Sequence, residues 1–237
     1  MIKKTLILGT LMATAAPLAQ AHNTPFRSGW LVGAHVGVAY LSGKFDTVWN
    51  GGTGNGNKPM SASTKKSAAL GGLLGGYRHT FSNGWTIGGD VVVNFFNNRI
   101  EKNLLNDSVT GAQFNNVLKR NYSVVPGVNV GRIFNKNFHA SFGLGLGISK
   151  FQLKSYNISG GIIKDASVTK LGFVPSIGFD IACTDRVTFS GNLGYEVYGK
   201  TNKIFGREIA TGLPNASFSS NISPRSVTGR LGFVVKI

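Results

Sequence analysis

From Asn137 to Phe151 the chain alternates with a period of two. Phe138, Ala140, Phe142, Leu144, Leu146 and Ile148 stand on one parity, His139, Ser141, Gly143, Gly145, Gly147 and Ser149 on the other. Successive side chains of a strand point to opposite faces, so the segment reads as a strand with one greasy face and one nearly bare. The polar face of a strand in a soluble sandwich usually carries charged, bulky side chains. Here that face is mostly glycine, and the constraint becomes what encloses it.

Seven further segments repeat the pattern. Near Trp30–Tyr40, Trp30, Val32, Ala34, Val36, Val38 and Tyr40 oppose Gly33, His35, Gly37 and Ala39. About 69–81 the strand is glycine-rich, with Tyr77 and Arg78 setting its parity. The next sets Trp85, Ile87, Gly89, Val91, Val93 and Phe95 against Thr86, Gly88, Asp90, Val92 and Asn94. Tyr122, Val124, Pro126, Val128 and Val130 oppose Ser123, Gly127, Asn129 and Gly131. After the Asn137–Phe151 strand, Leu171, Phe173, Pro175, Ile177, Phe179 and Ile181 oppose Gly172, Ser176, Gly178 and Asp180. Val187, Phe189, Leu193, Tyr195 and Val197 then oppose Thr188, Ser190, Asn192, Gly194 and Glu196. Last, Val227, Leu231, Phe233, Val235 and Ile237 oppose Thr228, Arg230, Gly232 and Lys236.

The connections alternate in length. Tight links sit at 82–84, 135–137 and 183–185, the first with the Asn-Gly hairpin pair. Long polar links fall at about 41–68, 97–121, 152–170 and 199–225. Short links on one side and long ones on the other characterise an outer-membrane barrel, with turns in the periplasm and loops outside. In hydrocarbon every backbone N–H and C=O must pair within the protein, so a sheet spans only if it closes. The sequence therefore predicts an all-β fold, an eight-stranded antiparallel up-and-down transmembrane barrel. Eight strands leave an interior about as wide as its own side chains, which is why glycine and serine face inward. Pro126 and Pro175 fall inside strands and each removes a ladder hydrogen bond, so a bulge or a local shift in pairing is expected at each.

The ends fit this reading. Residues 1–21 place Lys3 and Lys4 before a short apolar run and end in Ala19-Gln20-Ala21, the form of a secretory signal cut after Ala21. Residues 22–237 would then be the barrel domain. Charged residues make up only 14% of the chain, against about 25% in soluble proteins. The formal charge of +16 suits anionic lipid or polyanionic glycans, and export argues against nucleic acid. The single cysteine, Cys183, permits no intrachain disulfide.

With its alternating strands, its "GWLVGAHVGVAY" and "FGLGLGIS" segments and its final "GRLGFVVKI", the chain resembles the small bacterial outer-membrane β-barrel superfamily. That group includes the OmpA transmembrane domain, opacity-like proteins and the "porin family". The resemblance implies that Phe233, Val235 and Ile237 form the terminal signal read by the barrel-assembly machinery, with Ile237 in place of the usual phenylalanine.

The inward parity gathers His35, Arg78, Asp90, Asn94, Asn129, Asp180, Asn192, Glu196 and Arg230. Charges in so narrow a lumen must pair, giving a hydrogen-bonded plug or, alternatively, a polar pathway gated by the same pairs. His139 and Ser141 share a face as the His-x-Ser pair of a lipid A-modifying barrel enzyme would, which is the third reading, but they face the lumen and lack a third residue to orient the histidine, so lumen filling is the expectation and no enzyme is predicted. The glycine strings lack a phosphate-loop pattern, and no metal-ligand spacing appears, so neither cofactor nor metal is expected. Lys44, Lys58, Lys65, Lys66, Lys102, Lys119, Arg120, Lys154, Lys164, Lys200, Lys203 and Arg207 lie in or beside the long connections. They form either a basic crown for lipopolysaccharide phosphates or host surface polyanions, or a merely solvated rim compatible with outer-membrane lipid headgroups.

Overall fold

The computed structural model describes residues 26–50, 58–106, 113–157, 162–200, 204–207 and 217–237. The leader and its cleavage site lie outside them. The strands are β1 (Gly29–Asn50), β2 (Lys58–Thr80), β3 (Trp85–Asn106), β4 (Gln113–Asn135), β5 (Phe138–Asn157), β6 (Ile162–Ala182), β7 (Val187–Tyr198), β8 (Ile204–Arg207) and β9 (Ser217–Lys236). Sequential strands pair antiparallel from β1 to β7, β7 pairs with β9, and β9 returns to β1. The result is a closed eight-stranded antiparallel barrel, with β8 a short strand added to the edge of β9.

Alternation sorts the side chains as the apolar pattern requires. Val38, Leu73, Val128, Leu146, Leu171 and Ile177 stand exposed on the outer face. So continuous an apolar surface is a lipid-facing belt, since water would not tolerate it. Trp30 and Tyr77 meet edge to face, with ring centroids 5.3 Å apart near the short-turn end. The first short turn runs through Gly84, whose φ of 82° is the left-handed conformation that favours glycine.

Two expectations are corrected. Most of the residues assigned to long loops are strand, because β1 runs to Asn50 and β2 begins at Lys58, and the second and third links are shortened in the same way. Beyond the lipid both faces of a strand are wet, so the pairing continues without apolar alternation to reveal it. Nor do the prolines make bulges. At Pro126 the β4–β5 register is unchanged across a gap between Val124↔Ile148 and Gly127↔Gly145. At Pro175 the β6–β7 register skips from Phe173↔Val197 to Ser176↔Gly194. Each proline loses its rungs on one side only, since Val91↔Pro126 and Leu144↔Pro175 remain paired on the other.

One of the irregularities that do shift register lies at Asn121. There Arg120 pairs with Phe151 while Tyr122 pairs with Lys150. One extra residue reverses the facing of everything beyond it. Tyr122 consequently faces out, and Arg120, although of the same parity, turns into the lumen.

Candidate functional site in the barrel lumen

The inward side chains build three levels. Uppermost, toward the long-strand end, Arg120 of β4 meets Glu196 and Tyr198 of β7 and Ser149 of β5. Arg120 Nη2 donates to Glu196 Oε2, to Tyr198 Oη at 2.6 Å and to Ser149 Oγ at 2.8 Å. Tyr198 donates its hydroxyl to the same Glu196 oxygen at 2.6 Å. The guanidinium carbon sits 3.9 Å from the centre of the Phe96 ring, a cation–π contact. Leu41, Leu118, Phe151 and Ile222 pack with Tyr198 as an apolar layer at this level. Beside it His35 Nε2 donates to Asn94 Oδ1 at 2.9 Å, and Asn94 Nδ2 donates to Ser123 Oγ at 3.1 Å.

Near the short-turn end Asp180 of β6 collects a second group. It accepts from Arg78 Nη2 at 2.5 Å, His139 Nδ1 at 3.0 Å and Ser190 Oγ at 2.7 Å. With Nδ1 so engaged, His139 Nε2 accepts from the Thr86 hydroxyl at 2.9 Å. Gly131 makes this contact possible, because a Cβ there would lie 2.4 Å from His139 Nε2. Phe26 closes the level from below, buried, with its ring centroid 5.7 Å from that of His139. The Thr80 hydroxyl donates to the Phe26 carbonyl, and the Thr80 N–H donates to Ser28 Oγ at 2.9 Å.

The sequence offered no third residue for His139; the structure supplies Asp180. It also pairs the histidine with Thr86 rather than with Ser141. An Asp–His–hydroxyl line is the geometry of an activated nucleophile. Here, however, Thr86 is 1% exposed and His139 0%, with Phe26 closing the space below them. The chemistry the arrangement performs as it stands is charge burial: every charged group at this level has a partner.

Between the two levels lies a chamber of about 130 Å³, whose polar lining includes His35, Asp90, Asn129, Ser141, Asn192 and Arg230. Asn129 Nδ2 donates to Asp90 Oδ2 at 3.0 Å. Three of the surrounding groups, Arg78 Nε, Arg230 Nε and Asn192 Oδ1, are buried without a hydrogen-bond partner. Among the described residues no three His, Cys, Asp or Glu side chains stand together as metal ligands would.

Several solved structures are similar to this chain. The outer membrane protein OprG from Pseudomonas aeruginosa matches at 14% identity and a TM-score of 0.56, over 91% of this chain and 100% of that one. The outer membrane protease OmpT from Escherichia coli matches at 7% identity and a TM-score of 0.51, over 92% and 99%. Ail, the attachment invasion locus protein of Yersinia pestis, matches at 13% identity and a TM-score of 0.36, over 87% and 98%.

The chain has the small outer-membrane β-barrel fold.

No protein-family model and no curated protein matches its sequence. At such low identities the likeness is one of fold, so the roles of residues in this outer-membrane barrel come from its own geometry.

The basic residues assigned to the rim divide accordingly. Lys44, Lys65, Lys66, Lys119 and Lys200 are exposed, Lys44 with Asp46 at 3.5 Å, and Lys154 is half-buried. Arg120 is corrected: it belongs to the lumen, fully buried, because the Asn121 bulge reverses its facing. Lys58, Lys102, Lys164 and Arg207 are placed by backbone alone, and Lys203 lies outside the described residues. At the other end Val235 and Ile237 are exposed and Phe233 half-buried on the outer face of β9. Reasoning from the sequence missed Tyr198, Ser149, Thr86 and Phe26 as members of the lumen network. The inward parity of Tyr198, two residues beyond Glu196, was the available signal.

Proposed function

We propose that this outer-membrane barrel has a structural and surface-interaction role, exercised outside the cell by the lysine-bearing ends of its strands. The observation that supports it best is the double seal of the lumen, by Arg120, Glu196 and Tyr198 above and by Asp180, His139 and Phe26 below. Lys44, Lys65, Lys66 and Lys119 then face the phosphates of lipopolysaccharide or the sulfates of host polyanions. In this reading the leader is cleaved after Ala21, and Phe233, Val235 and Ile237 address the chain to the barrel-assembly machinery. The protein acts without a cofactor and is not an enzyme, because Thr86 and His139 are shut away from any substrate.

A planar-bilayer recording of the refolded protein, after a gel has confirmed heat-modifiable migration, tests the reading. A silent, folded barrel that binds heparin through its lysines is expected. Steady small openings would instead favour a narrow channel for small solutes or ions, which the central chamber makes the second reading. Turnover of a labelled lipid that disappears in His139→Ala would overturn the non-enzymatic assignment.

A further inference from the structure

The lumen arginines are not equivalent. Arg78 has Asp180, and Arg120 has Glu196. Arg230, only 7% exposed, belongs to no ion pair among the described residues, and its Nε lacks any partner. A buried guanidinium without an ion-pair partner is unfavourable even with carboxylates farther off. Asp90 lines the same chamber from β3, three strands around the barrel from β9, and together with Glu196 it attracts Arg230 through space without forming an ion pair with it. Two donors that line this space, Arg78 Nε and Arg230 Nε, have no hydrogen-bond partner. Turning the Asn192 amide, whose Oδ1 has no partner, would present one donor more. The backbone also makes room for the guanidinium. Arg230 Nη2 lies where a Cβ on Gly194 would come within 3.1 Å.

We propose that the chamber is a binding site for a small anion, a carboxylate or an inorganic oxyanion, held by the Arg230 guanidinium. The planar fork of an arginine matches two oxygens of such a group. A chamber of about 130 Å³ has room for a guest of a few heavy atoms. The oxygens accept from Arg230, with Arg78 Nε the next free donor lining the same space. The site is independent of the surface role proposed above and stands or falls separately from it.

The test uses the refolded full barrel in detergent micelles, labelled to show the Nε–H resonances of its arginines. Acetate and phosphate are titrated separately, which tells the two sources of anion apart. Saturable shifts of the Arg230 and Arg78 resonances are expected, with an affinity, read at Arg78, about tenfold or more lower in Arg230→Gln. Crystals grown in bromide give a second readout on the unaltered chain, an anomalous peak expected beside Arg230. Saturable binding unchanged by Arg230→Gln would overturn the proposal. So would a chamber holding only water that links Arg230 to Asp90 or Glu196, or bromide confined to the exposed lysines.

Discussion

Arg120 on β4 and Glu196 on β7 form an ion pair across the lumen in which neither side chain has any solvent-exposed area. Tyr198 and Ser149 complete the shell around the guanidinium, and Phe96 covers one of its faces. Removing one partner alone leaves the other charge buried and unpaired, a loss of about 3–5 kcal/mol. Glu196→Gln and Arg120→Gln should each destabilise the barrel by that order, read from urea unfolding in lipid vesicles. The paired replacement Arg120→Met with Glu196→Leu should recover most of the loss, so the two changes are strongly non-additive. Additive losses would mean that the pair does not act as a unit.

This pair also marks how far the sequence could be read. Eight strands, their facing and the closed barrel follow from alternation wherever one face meets lipid, as in Phe138–Ile148. Alternation is silent where both faces are wet, so the strand beyond Tyr40 looked like loop although it pairs as far as Asn50. Inward placement of Asp180, Glu196 and Arg230 needed only parity. Arg120 defeated parity because a single extra residue, Asn121, reverses the strand, and nothing in its side chain announces a bulge. The partnership of His139 with Asp180 and Thr86 joins three strands whose relative register is a property of the ladder, and no local pattern encodes it.

The seals stand in series, which makes a specific prediction for conductance. Opening the upper one with Arg120→Ala and Glu196→Ala leaves Phe26 and the Asp180 group below intact. A current through two constrictions is limited by the narrower, so that variant should remain silent in a planar bilayer. Adding Phe26→Ala and His139→Ala should then produce steady openings. Current from the upper pair alone would show that the lower group does not close the lumen.

Inward glycines should resist substitution where outward ones tolerate it. At Gly131 a Cβ would meet His139 Nε2 at 2.4 Å and the Ala140 carbonyl oxygen at 2.6 Å. At Gly75, on the lipid face, the nearest atom to a new Cβ is the Leu31 carbonyl oxygen at 4.0 Å. Gly131→Ala is expected to lower the refolding yield and to weaken the barrel by about 1–3 kcal/mol, the range for overpacking. Gly75→Ala should refold like the parent. Heat-modifiable migration on a gel reads both.

Pro175 leaves β6 and β7 without a rung between Phe173↔Val197 and Ser176↔Gly194, although β5 pairs with the same stretch continuously. The missing N–H therefore points toward β7. Pro175→Val keeps an apolar residue on the lipid face and returns that donor. The new hydrogen bond contributes about 0.5–1.5 kcal/mol. Losing the proline frees the unfolded chain and takes back about 0.4–1 kcal/mol. Global stability should therefore barely move, and the effect should be local. Hydrogen exchange at the amides of Tyr195 and Glu196 is expected to slow several-fold while amides in β1 stay unchanged. Unaltered exchange in β7 would show that the interruption belongs to the barrel's curvature there rather than to the proline.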